Sequence, residues 1–107
     1  MDQPQTFQQF WPIYLRAHAD PRCRALHYAA SVVSISFTFV AILTLSWQIA
    51  LIGVLIAYAL AWVGHFFVEK NSPLTFRYPL WSLMADFRMF FRWLGGQIER
   101  DLAGAGR

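Results

Sequence analysis

Residues 25–68 contain no Asp, Glu, Lys or Arg, a run of 44 uncharged positions bracketed by Arg24 and Glu69. A helix crosses a bilayer with about 20 apolar residues, so this run has the length of two spanning helices and a tight turn. The alternative is an apolar soluble bundle, disfavoured because helices of that length would carry a polar face. A secretory signal is disfavoured as well. The opening segment MDQPQTFQQF has no basic residue, and the apolar run begins late and is long. The chain of 107 residues has room for one domain. Its content of 57% apolar and 14% charged residues argues against disorder. The net charge of +3 is not gathered into a basic stripe, which argues against a nucleic-acid partner. The one cysteine, Cys23, allows neither an internal disulfide nor a thiolate zinc site.

The pattern predicts an all-α protein, a membrane helical hairpin with flanking amphipathic helices, as a single membrane domain over 1–107. In segment 5–18, Phe7, Phe10, Tyr14 and His18 recur at steps of three and four, the mark of an amphipathic helix; Pro12 either kinks it or marks its start. Asp20-Pro21 reads as an N-cap followed by a proline at the first helical position. Spanning helices are predicted over 21–45 and 48–70, with the turn at Ser46-Trp47-Gln48 and the stop at Asn71-Ser72-Pro73. A fourth helix, 80–94, carries an apolar stripe (Leu80, Leu83, Met84, Phe87, Phe90, Phe91, Leu94) opposite Arg88 and Arg92. The tail, 97–107, is expected to hold for a turn and then fray. Arg16, Arg22 and Arg24 precede the first span, Lys70 and Arg77 follow the second, and the turn has no charge. The positive-inside rule then puts both ends in the cytoplasm.

The chain has three histidines, His18, His27 and His65. A hairpin turning near residue 47 sets His27 level with a position near 67, between His65 and Glu69, and His18 lies one helix earlier on the same side. All three imidazoles can meet at the cytoplasmic mouth, and histidine is the commonest metal ligand. The spans carry matching polar stripes: His27, Ser31, Ser34 and Thr38 on the first, Tyr58, Trp62, His65 and Glu69 on the second. These spacings put each set on one helical face, and polar groups in a span turn towards the protein interior. The stripes therefore face each other or a shared cavity. Individually these residues have plainer roles, as hydrogen-bonded helix ends or interfacial anchors; their convergence favours a metal site. Imidazole with carboxylate suits iron, zinc, copper or nickel, and spacing does not choose among them.

Two motifs carry a family resemblance. One is Phe10-Trp-Pro-Ile-Tyr14 followed by His18 and His27; the other is Gly64-His65-Phe-Phe-Val-Glu69 with Pro73 beyond it. Together they resemble the small membrane family typified by a 2-hydroxy fatty acid dioxygenase of the endoplasmic reticulum. The stretch from Phe76 to Met89, FRYPLWSLMADFRM, is similar to its bacterial branch. The resemblance extends from Phe7 to about Gly96. It implies Fe(II)-dependent α-oxidation, in which a 2-hydroxy fatty acid reacts with dioxygen and loses its carboxyl carbon. The family's histidines fall on His18, His27 and His65 and its glutamate on Glu69. The chain departs from the family pattern at Cys23, Ala29 and Leu74, which leaves the substrate open.

On that reading the three histidines hold the iron directly. Glu69, one turn beyond His65, serves as an imidazole partner or as an alternative ligand. Arg16, Arg22, Arg24 or Lys70 would hold the substrate carboxylate at the interface. Ser31, Ser34, Tyr58 and Trp62 would line the cavity for the acyl chain. The expected setting is a bacterial inner membrane, with the lipid bilayer as partner. Gly53 is a candidate for close helix contact, and association into a homo-oligomer is plausible. Two other classes stay open at this point: a non-catalytic hairpin scaffold, and a protein that handles metal or haem without oxygenase chemistry.

Overall fold

In the computed structural model, which describes residues 3–106, every regular element is helical. Helix α1 (Phe7–Ala17) starts at Thr6, whose side chain accepts from the Gln9 N–H, so Pro12 lies inside the helix and does not open it. Helix α2 (Pro21–Thr44) starts as its sequence predicts, with Asp20 accepting from the Arg22 N–H and Pro21 in the first turn. It ends where Leu45 adopts a left-handed conformation (φ 54°) and the Ser46 N–H reaches back to the Ala41 carbonyl at 2.9 Å. Ser46 then caps α3 (Trp47–Val63) by accepting from the Ile49 N–H. The turn is therefore Leu45–Ser46, tighter than the Ser46–Gln48 turn expected. Past Val63 the winding widens into a π-helical turn, Gly64–Glu69, which ends at Lys70 in the left-handed region.

Helices α2 and α3 form the hairpin, and both are long and apolar enough to cross a membrane. The rest of the chain leaves them largely bare. Only 22% of each apolar window is buried inside the protein, and large apolar side chains such as Phe39, Ile42, Leu43 and Leu55 are exposed. A soluble core helix would be covered. Two glycines set how closely the helices approach. A Cβ on Gly53 would lie 2.4 Å from the Phe37 Cβ, and one on Gly64 would lie 2.9 Å from the Cys23 Sγ. Gly53 thus serves the contact within the hairpin.

The other helices gather at one end of the hairpin. After a short 3₁₀ turn (Leu74–Phe76) come α4 (Pro79–Leu94) and α5 (Ile98–Ala105). Phe10, Tyr14 and Leu15 of α1, Ala85 and Met89 of α4, and Ile98 and Ala105 of α5 form the buried core there. Phe10 packs against Tyr78 and Trp81 with ring centroids 5.2 and 5.6 Å away. The apolar stripe of α4 is only partly used in this core. Ser82, Ala85, Met89 and Phe90 are buried, whereas Leu80, Leu83, Met84, Phe91 and Leu94 are exposed. The tail also differs from expectation. Arg92 grips Asp101 through two hydrogen bonds of 2.7 and 2.8 Å, and α5 is ordered to Ala105. Met1, Asp2 and Arg107, the last position of the tail, lie outside the described residues.

Gly53→Ala should destabilise the hairpin by about 1–3 kcal/mol, the usual cost of overpacking. Gly104→Ala on α5, where an added Cβ meets nothing within 4 Å among the described residues, should instead stabilise by roughly 0.5–1 kcal/mol. Thermal unfolding in detergent should move in opposite directions for the two variants.

Candidate metal centre

Three different local structures deliver the histidines. His18 is the C-cap of α1, where its backbone leaves the helix. His27 lies in the second turn of α2. His65 sits in the π-helical turn, a winding that recurs at functional sites. The contact of Gly64 with Cys23 draws that turn against α2. The imidazole centroids are 4.4, 4.5 and 4.9 Å apart and the ring planes are nearly perpendicular, at 81–86°. One nitrogen of each ring lies within 4.8 Å of the others. All three residues are buried.

The hydrogen-bond partners fix which nitrogen faces inward. The Nδ1–H of His18 donates to the Tyr14 carbonyl at 2.6 Å, and that of His27 to the Cys23 carbonyl at 2.9 Å. A carbonyl only accepts, so both Nδ1 atoms carry the hydrogen. His65 Nδ1 lies 2.8 Å from Asn71 Oδ1. The amide of Asn71 is oriented in turn by its Nδ2–H, which donates to the Ala17 carbonyl at 3.1 Å. His65 therefore donates from Nδ1 as well. Each imidazole is left with a bare Nε2 lone pair. His18 Nε2 and His27 Nε2 face each other at 3.2 Å with no hydrogen between them. Convergent lone pairs repel unless a cation sits between them. This donor set, neutral imidazole with its second nitrogen anchored, could hold a metal ion. Burial and the neighbouring imidazoles hold the His18 pKa well below its ordinary value, which keeps the ring in the neutral form that a metal requires.

Glu69 does something else. Its Oε2 accepts from the Asp20 N–H at 2.6 Å, pinning the end of the hairpin to the start of α2. Asn71, which the sequence reading treated only as part of a helix stop, is the residue that holds His65. The four cations considered for a substrate carboxylate are engaged elsewhere or exposed. Arg24, 8% exposed, donates to the His18 and Ala19 carbonyls, both at 2.8 Å. Arg22 pairs with Asp20, Arg16 donates to the Ala105 carbonyl, and Lys70 is exposed.

The polar stripes do face a cavity. A space of about 190 Å³ between the hairpin and α4 is lined by His27, Ser31, Ser34 and Tyr58 together with Asp86 and Phe87 of α4. A smaller chamber beside it is bounded by all three histidines, Tyr58, Trp62 and, from α4, Ser82 and Asp86. Asp86 was not singled out from the sequence. It accepts a hydrogen bond from Tyr14, whose ring stacks on His18 at 4.0 Å. Burial pushes the Asp86 carboxyl up to about 7, against the pull of the Tyr14 hydrogen bond, and burial with the nearby Asp86 raises the Tyr14 hydroxyl well above its usual range.

Asn71→Ala should keep the fold and weaken metal binding by roughly 10–100-fold, the usual effect of losing an imidazole's anchor; a chelator competition would measure it. Asp86 gives a pH signature in metal-free protein. The folded state holds its proton up to about pH 7, whereas an unfolded Asp loses it near pH 3.9. The folded state binds more protons across that window, so stability falls as pH rises through it. Asp86→Asn lacks this loss. Unfolding compared at pH 4.5 and pH 7.5 should show the variant gaining on the native protein at the higher pH.

No curated protein and no solved structure matches the chain significantly. A family model described as 2-hydroxy-palmitic acid dioxygenase Mpo1-like matches residues 4–98. That span contains the three histidines, Asn71 and all of α4, so the chain that builds this centre belongs to the Mpo1-like family.

Proposed function

We propose that this protein is a membrane-embedded Fe(II) dioxygenase that shortens 2-hydroxy fatty acids by one carbon. The observation that carries the reading is the orientation of the three imidazoles. Each is anchored through Nδ1, and the Nε2 atoms converge at the inner end of an apolar cavity. The family name supplies the substrate class, a 2-hydroxy fatty acid. His18, His27 and His65 would hold the metal, and a set of three protein ligands would leave it open to substrate. Bound there, Fe(II) supplies the redox chemistry that activates dioxygen. Overall, one dioxygen converts the carbinol carbon into the new carboxyl group and releases the old carboxyl as carbon dioxide, with one water.

The chain's own residues prepare this. Tyr14, Cys23 and Asn71 fix the three rings, so little reorganisation accompanies binding. Arg24 holds the backbone at His18. The cavity along Ser31, Ser34 and Tyr58 takes the start of the acyl chain. Phe87 lines both this cavity and the groove that continues past Thr38 and Phe39 on α2. The bare hairpin stands in a bilayer, proposed to be a bacterial inner membrane. The basic residues at its open end and the uncharged Leu45–Ser46 turn support an orientation with both termini in the cytoplasm. A reporter fused at either end should be active only on the cytoplasmic side.

The purified protein should contain about one iron per chain and consume oxygen with 2-hydroxypalmitate, releasing pentadecanoate. His27→Ala should abolish both metal and turnover. Iron-loaded protein that turns over none of a series of 2-hydroxy acid chain lengths would remove the substrate claim. Protein that purifies metal-free and is indifferent to His27→Ala would be a scaffold.

A further inference from the structure

The Ser82 residue is almost fully buried, at 3% exposure, and its Oγ has no hydrogen-bond partner among the described residues. Helical hydroxyls ordinarily bond back to a carbonyl one turn earlier or to a neighbour, and buried polar groups are nearly always partnered. Ser82 is one turn from Asp86 on α4, and both side chains border the small chamber in front of the three histidines. One Asp86 oxygen accepts from Tyr14, which leaves the second carboxylate oxygen for another donor. Neither cavity at the centre is lined by Arg or Lys. A carboxylate entering there meets no cationic side chain.

We propose that α4 supplies the head-group subsite of this centre: the Ser82 hydroxyl donates to the carboxylate of the bound acid, and the Asp86 carboxylate accepts its 2-hydroxyl. The assignment rests on the function proposed above and names how that substrate is told apart from a plain fatty acid. Ser82 recognises any carboxylate; Asp86 recognises the 2-hydroxyl. The placement also gives the apolar stripe of α4 a role. With Leu80 and Met84 exposed, the face carrying Ser82 and Asp86 turns in.

The test is binding without turnover. Iron-loaded protein in detergent, kept free of oxygen, is titrated with 2-hydroxypalmitate and with palmitate, using the fluorescence of Trp62 at the chamber wall or heat as the signal. Native protein should prefer 2-hydroxypalmitate. Ser82→Ala should weaken both acids by roughly tenfold or more, as expected for a lost hydrogen bond to a charged group. Ser82→Cys, nearly isosteric with a weak donor, should do so with unchanged helix content and metal content. Asp86→Asn should weaken 2-hydroxypalmitate at least roughly tenfold and palmitate little, since a site built for a hydroxyl discriminates through it. If both Ser82 variants bind the two acids with native affinity, the hydroxyl is satisfied by buried water and the subsite is refuted. If Asp86→Asn keeps the native preference, Asp86 does not read the 2-hydroxyl. If the native protein itself binds neither acid, the substrate class fails first and the subsite with it.

Discussion

Three imidazole lone pairs aimed at one point are the constraint around which the rest of this small protein is arranged. Left to themselves, the rings would turn so that one Nε2 accepted a hydrogen from another. They are prevented from doing so because each Nδ1–H is committed to an oxygen of a different local structure: the last turn of α1, the first turns of α2, and Asn71 beyond the π-helical turn. A hydrogen bond is individually modest, but these are buried, and a broken one would leave an unpartnered polar group behind. The second row of contacts holds the anchors. Arg24 binds the carbonyls at the end of α1, Asn71 binds Ala17, and Glu69 binds the backbone of Asp20. The polar residues near the mouth of the hairpin thus brace three segments against one another.

The hairpin answers a different requirement. Its outward side chains are matched to an apolar surrounding, and its inner faces must come close enough for Cys23 to touch the backbone at Gly64. In the bilayer proposed above, apolar attraction would not bring the helices together, so close packing at small residues would have to do so. Gly53 against Phe37 and Gly64 against Cys23 are the two places where this is visible. Where the helices separate towards α4, the space between them becomes the cavity that leads to the histidines.

The sequence made the helices, the hairpin and the meeting of the histidines legible, because uncharged length, proline and N-cap positions and helical spacing are all local signals. The partner of His65 was not legible. A regular helix continued through Glu69 would present that carboxylate one turn from His65. The π-helical turn changes the winding, Lys70 adopts a left-handed conformation, and Asn71 folds back so that its N–H reaches the His65 carbonyl at 2.9 Å. Nothing in the residue pattern announces that widening. Helix α4 shows a second limit. Its periodicity reveals the apolar stripe, but the most apolar face is not the one this fold buries. The face carrying Ser82, Ala85 and Met89 goes inward because α1 approaches there, and that choice is tertiary.

The histidines come from positions 18, 27 and 65, with the whole hairpin looped out between the second and the third. During synthesis the first two are made early, before the third exists to complete the set. The third arrives after α3 has turned back and the chain has been extended as far as Asn71. On the function proposed above, metal capture would be a terminal event of biogenesis, since a site assembled from distant segments has no affinity until they are joined. A hairpin that fails to close presents two stray imidazoles and no centre. On the same reading, a cell that withholds the metal would receive a folded hairpin whose last cross-link is missing.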